Sequence, residues 1–384
     1  MKGISTSGKL LSVAATAGLL LTACGTTGGS SDNAGSSGGC TKYTIAFMGA
    51  ETGPAGALGQ NMAGGVNLAV DEYNADHPDC KVAVKDYDSQ GDATKATALA
   101  QNIVKDQSVL GLVGPGFSGE SLSTGKTFDG AQLPSISPSA TNVTITEQGW
   151  TFWHRVIGND NAQGEADAKF LSGKSKKIFV IDDGTDYGKG LGTVVRNALP
   201  KGTLVGNDQV DGTNHQTDFS ATVTKVKGSG ADALFFGGYY PEAGLLVKQL
   251  RAAGWKGLFM SGDGSEDPAF VKTAGAAAAE GSYLSAPAGP APADFSQKFA
   301  KSNGGNPAGL YSTQAYDAAN IFLAGLEAGK TSHTDMNEFI DSYTGDGVSG
   351  PIAFDDKGDI KSTTIYAYPV KGGKIDTDNP LAIK

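Results

Sequence analysis

Cysteine is almost absent from this chain, three residues in 384, and no two of them form a C-x-x-C pair, which excludes a zinc ribbon or a dithiol redox site. No H-E-x-x-H and no complete EF-hand loop occurs, so neither a metal nor a cofactor is expected. Positive charge is scarce: 30 Lys and Arg stand against 40 Asp and Glu, a formal net charge of −10. Phosphate binding needs a basic field, so the balance argues against a nucleic-acid binder. Glycine is abundant, 56 residues, but follows no G-x-y period, which excludes collagen and points to many tight turns. With 39% hydrophobic and 18% charged residues, the chain is also too apolar to be disordered.

No apolar run is long enough to cross a bilayer. The strongest candidate, residues 10–21, is 12 residues long, against the roughly 20 that a spanning helix needs. Preceded by Lys2 and Lys9, it reads as a secretory leader over residues 1–23. Leu21-Thr22-Ala23-Cys24 resembles the lipobox of bacterial lipoproteins, which predicts lipidation of Cys24 and membrane attachment through that lipid alone. Residues 24–39 carry no apolar side chain larger than Ala after the cysteine and read as a flexible tether. Cys40 and Cys80 remain, each just before a strand-like run (43–48 and 82–87). If those strands are parallel neighbours joined by one crossover helix, their starts are adjacent, and an oxidising compartment favours a Cys40–Cys80 disulfide.

From residue 41 the hydrophobic period alternates between strand and helix. Apolar runs at 43–48, 81–87, 108–114 and 133–137 enclose helical patterns such as Met62, Val66, Ala69, Val70 and Tyr73. A second series has strands at 176–182, 203–210, 232–238 and 256–262, with helices at 187–199, 219–227 and 242–253. Two such series predict two doubly wound Rossmann-like α/β lobes. A β/α barrel can be drawn from the same alternation, but residues 150–158 interrupt it with a texture that suits a hinge strand. Helices at 307–329 and 335–343 and strands at 350–354 and 364–370 are left to be shared between the lobes.

Gly114-Pro115-Gly116-Phe117-Ser118-Gly119 fits G-x-G-x-x-G, yet it follows the third strand, and the next strand ends in Ser-Pro without an acid to hold a ribose. The same loop lacks the last glycine of a nucleophile elbow, Glu120 standing there. A secreted serine hydrolase using Ser118 is therefore the competing class, with four histidines available and none in a distinctive context. What the loop does offer is backbone N–H groups at a helix start, a setting that suits a carboxylate. A second loop, residues 137–142, follows the next strand and should open on the same crevice.

Over residues 41–370 the chain carries, in order, TGPAGALGQNMAGGVNLAVDEYN, VKDYDSQGDATKA, LVGPGFSGES, ISPSATN, DDGTDYGKG, DFSATVTKVKGSGADALFFGGYYPEAG, FMSGDG and GPIAFDDKGDI. In this the sequence resembles the type I periplasmic binding proteins of the leucine/isoleucine/valine-binding family, the capture subunits of amino-acid ABC importers. The resemblance implies two lobes joined by three hinge crossovers, at 40–156 with 287–363 and at 157–286 with 364–384. It implies a monomer that delivers a small amino acid to a membrane permease.

By the same resemblance the carboxylate-binding Ser falls on Ser118, its partners on Ser139 and Thr141, and the tyrosines of the opposite lobe on Tyr187 and Tyr239. A pocket Tyr falls on Tyr316. The ammonium-binding Glu is replaced by Asp263, one methylene shorter, and a side-chain-pocket Tyr by Leu58. An amino acid is a zwitterion, and a cleft that strips water from both charges must supply donors to one and an acceptor to the other. Leu58, Phe117 and Tyr316 add no charge around the side chain, which points to an aliphatic, branched amino acid. Short amides or urea are the alternative on the same fold.

Overall fold

The computed structural model describes residues 42–384. Cys24 and Cys40, with the leader and tether, lie outside the described residues; Cys80 follows the first helix and is disulfide-bonded. The first half of the chain runs β1 (Thr44–Gly49), α1 (Gly56–Asp76), β2 (Ala83–Asp88), α2 (Ala93–Ile103), β3 (Val109–Val113), α3 (Ser118–Gly130), β4 (Ser135–Ser137) and β5 (Trp153–Arg155). These strands form one parallel sheet in the order β2-β1-β3-β4-β5. β1 and β3 are continuous apolar runs buried along their whole length, as parallel strands covered on both faces must be.

The second series is α4 (Asp160–Lys174), β6 (Ile178–Asp182), α5 (Asp186–Ala198), β7 (Leu204–Gln209), α6 (Ser220–Gly228), β8 (Ala233–Gly237), α7 (Tyr240–Ala252), β9 (Leu258–Ser261), α8 (Pro268–Ala274), α9 (Ala276–Ala279) and β10 (Tyr283–Ala286). Its strands pair in parallel in the order β7-β6-β8-β9-β10. The chain then supplies α10 (Ala293–Ser302), α11 (Ser312–Glu327), α12 (His333–Asp341) and the hairpin β11 (Thr344–Gly347) and β12 (Gly350–Ala353). It ends in β13 (Ile365–Lys371), β14 (Lys374–Ile375) and β15 (Leu381–Ile383), with β13 added antiparallel to β10. Two open sheets result, not a closed barrel. The 150–158 stretch holds β5, an edge strand of the first sheet that also starts the path to the second. Among the described residues no helix is long and apolar enough to cross a membrane.

The late helices pack on the first sheet's layer, not the second's. α11 lies against α1 and β3 at backbone distance: a Cβ at Gly65 would sit 2.2 Å from the Ser312 carbonyl oxygen, and one at Gly111 2.1 Å from the Phe322 ring. Along α1, Leu58, Met62, Val66 and Val70 are buried, each contributing roughly 1.5–3 kcal/mol. The helix expected from residue 307 begins at Ser312, because Tyr311 takes a left-handed φ of 70° and turns the chain before the first helical turn.

The tight α1–α11 contact sets a signed test. Ala is favoured over Gly in a helix by about 1 kcal/mol, but at Gly65 the new methyl meets backbone that cannot step aside. Gly65→Ala should lower stability by about 1–3 kcal/mol. Gly173→Ala, in α4 with open space around it, should raise the melting temperature; equal shifts of one sign in thermal melts would refute this account of α1.

Candidate ligand-binding site

The site lies where the C-terminal ends of both sheets' strands open into loops, the place open α/β sheets reserve for ligands. From the first sheet come Leu58 at the start of α1, Gly116 to Ser118 after β3, and Ser139 after β4; from the second come Tyr187 on α5, Tyr239 after β8, and Asp263 with Gly264 after β9. Tyr311, before α11, completes the wall. The cavity between them is about 10 Å³, room for about one water. An amino acid therefore requires the walls to part before it enters.

Asp263 is the acceptor end. Its side chain is buried, with Oδ1 accepting from the Tyr187 hydroxyl at 2.7 Å and Oδ2 from the Tyr311 hydroxyl. Tyr187 Oη in turn accepts the Gly264 N–H at 2.9 Å. Burial pushes the Asp263 carboxyl up from its ordinary range, and the Tyr311 and Tyr187 hydroxyls oppose that shift. The Tyr239 ring closes the aromatic wall, 5.1 Å from Tyr187 and 5.4 Å from Phe117, centroid to centroid. Nearby Asp267 caps α8 through the Ala269 N–H at 2.8 Å, the role expected of an Asp before proline.

The donor end is made by the loops after β3 and β4. Ser137 Oγ accepts the N–H groups of Ser139 and Ala140, and Ser118 Oγ accepts that of Asn142 at 3.3 Å. The Ser139 hydroxyl donates to the Gly116 carbonyl, so it is not free to donate to a ligand. Of the amides from 139 to 142, the Thr141 N–H alone makes no hydrogen bond within the described residues. With the Ser118 O–H and the first-turn N–H groups of Ser118 and Gly119, which also have no acceptor among the described residues, it forms the donor set left for an anion. Glu120 reaches back to the Phe117 N–H at 3.2 Å and steadies the start of α3.

Seven of the nine residues named from the sequence meet at this cavity: Leu58, Phe117, Ser118, Ser139, Tyr187, Tyr239 and Asp263. Thr141 is not among the lining residues; its hydroxyl is buried beside the Asp160 carboxyl. Tyr316 is elsewhere: one turn into α11 it points away from the cavity, donating to Glu72 at 2.5 Å and meeting Phe295 edge-on. Tyr311, five residues earlier, takes the place expected of it, and only a helix start at 312 would have disclosed the exchange. No histidine borders the cavity; His77, His154, His215 and His333 bond to Tyr73, Asp341, Glu242 and Val109. Among the described residues no cluster of His, Cys, Asp and Glu could hold a metal ion.

The chain belongs to the periplasmic binding protein family, whose model matches residues 42–374. It is 30% identical to the Leu/Ile/Val-binding protein BraC3 of Rhizobium johnstonii, over 86% of this chain and 92% of that protein. It is also 30% identical to the Leu/Ile/Val-binding protein of Escherichia coli, over 83% and 88% of the two chains. Among solved structures, the branched-chain amino acid transporter substrate-binding protein LivJ of Streptococcus pneumoniae, in complex with isoleucine, superposes with a TM-score of 0.81. That match has 27% identity and covers 89% of this chain and 99% of the other.

Asp263 is one of several carboxyls buried without a Lys or Arg salt-bridge partner, although the Arg155 charge partly offsets the shift at Asp160. Desolvation lifts Asp160 and Asp183 to about 7 and Glu120 and Glu266 to about 8. Between about pH 4 and these values the folded protein holds protons that the unfolded chain has released, so stability falls as pH rises through the window. The ligand-free melting temperature should be higher at pH 5.5 than at pH 8, and a flat or rising profile would contradict the burial of neutral carboxyls.

Proposed function

We propose that this protein captures an aliphatic, branched amino acid outside the cytoplasm and hands it unaltered to the permease of an ABC importer. The observation that carries the proposal is the pairing of opposite ends in one cleft: Asp263 on one side, Ser118 on the other, with the unpaired Thr141 N–H in the loop next to Ser139. An α-amino acid satisfies both, whereas urea or a short amide brings no cation to Asp263. Leu58, Phe117 and Tyr239 leave the side chain an uncharged surround. The isoleucine in the pneumococcal relative and the names of the curated relatives support the same ligand class. The moving bodies would be residues 40–156 with 287–363 and 157–286 with 364–384, acting as a monomer.

Asp263→Asn keeps the shape and one acceptor oxygen for the tyrosine hydroxyls but removes the counter-charge. Calorimetric titration with leucine, isoleucine, valine, urea and acetamide should show the parent preferring a branched amino acid and the variant losing at least tenfold, about 1.4 kcal/mol. A parent that prefers urea or acetamide, or a variant that binds as the parent does, would sink the proposal.

We further propose that Cys24 carries the lipid anchor and that Cys40 bridges Cys80, closing a loop of about 40 residues worth roughly 3–4 kcal/mol. One intact-mass measurement after alkylation without reductant checks both. The expected species begins at Cys24 with a diacylglyceryl mass and takes no thiol label; a retained leader or two labelled thiols would refute the corresponding half.

A further inference from the structure

Arg155, the last residue of β5, is fully buried, and a guanidinium keeps its charge at every ordinary pH. Such a charge survives in the interior only with its donors satisfied. Nε donates to Asp359 Oδ1 at 2.5 Å, Nη1 to the carbonyls of Ala140 and Asn142, each at 2.9 Å, and Nη2 to Thr146 Oγ1 at 3.3 Å. Two of these four acceptors belong to the loop that carries Ser139 and Thr141. In a trans peptide the C=O and the following N–H point in opposite directions. Holding the Ala140 carbonyl toward Arg155 therefore turns the Thr141 N–H to the far side, and that N–H is the loop amide left without an acceptor.

The other end of Arg155 is tied to the crossovers. Asp359 lies between β12 and β13 and also accepts from Asn159 Nδ2 at 3.1 Å, on the segment between β5 and α4. The Arg155 N–H donates to the Gly358 carbonyl at 2.9 Å. One partly buried ion pair thus joins the donor loop to two of the three segments along which the lobes would pivot.

We propose that Arg155, paired with Asp359, is a positioning residue for the carboxylate end of the cleft: it holds the 139–142 loop so that the Thr141 N–H faces the ligand's carboxylate. Its role rests on the ligand being an amino acid, as proposed above. Arg155→Met, Arg155→Lys and Asp359→Asn are compared with the parent by calorimetric titration and thermal melts. The probes are whichever of leucine, isoleucine and valine the parent binds most tightly, and the amide of that amino acid, which keeps the ammonium but has no carboxylate.

Arg155→Met should lose at least tenfold for the amino acid and less than threefold for its amide, and Arg155→Lys, which keeps the charge but not the fork, should recover part of the loss. Equal losses for both probes, or no loss for the amino acid, would overturn the role. If Arg155→Met does not fold, Arg155→Lys and Asp359→Asn carry the same comparison, with a selective loss expected and an equal loss contrary. A parent that binds no branched amino acid is a different failure, seen before any variant is titrated: it removes the ligand reading and the role of Arg155 with it.

Discussion

The structure turns on one costly arrangement, a carboxylate placed in the interior with no cation beside it. Asp263 can be buried only because hydroxyls reach both of its oxygens, Tyr187 from α5 and Tyr311 from the turn before α11. The first belongs to the second sheet's layers, the second to the helix that packs on α1. Satisfying a single side chain therefore draws residues of both halves to one point. An ammonium would offer Asp263 what the tyrosines cannot, a full opposite charge.

The anion end is built on the opposite principle, with backbone donors and one neutral hydroxyl. The 137–142 loop spends nearly all its polar groups internally, on Ser137, Ser118 and Arg155, so it is stiff before any ligand arrives. A stiff loop with one amide left over discriminates by geometry. Asn142 adds a link across the cleft, its Nδ2 donating to the Asp186 carbonyl at 2.6 Å.

Strands β1, β3, β6 and β8 were legible because each is a short apolar run between turn residues, and the two-lobe α/β architecture follows from their repetition. Less legible were α4, whose face toward the core carries Asp160, Gln163 and Asp167 and so shows no apolar stripe, and β10, a four-residue strand. Within the site, residues that follow strand ends, such as Ser118 and Asp263, line one cavity. Tyr316 does not join them: Ala-rich sequence continues its helical pattern backward past Ser312 while a left-handed Tyr311 breaks it. That break is a property of one backbone angle, and periodicity does not register it.

The three passages between the sheets bear on how the chain acquires its fold. One face of α1 is finished by α10 and α11, and β3 is covered by Phe322, all of them more than 200 residues after β1 begins. The second sheet's parallel strands, by contrast, follow one another from β6 to β10 without interruption. During synthesis the second sheet's parallel core can close while the first still shows Gly65, Gly111 and their neighbours to solvent. The half that begins the sequence therefore waits for residues 293–327 before its face is covered, while the second sheet lacks only its antiparallel edge, β13 to β15, which is made last of all.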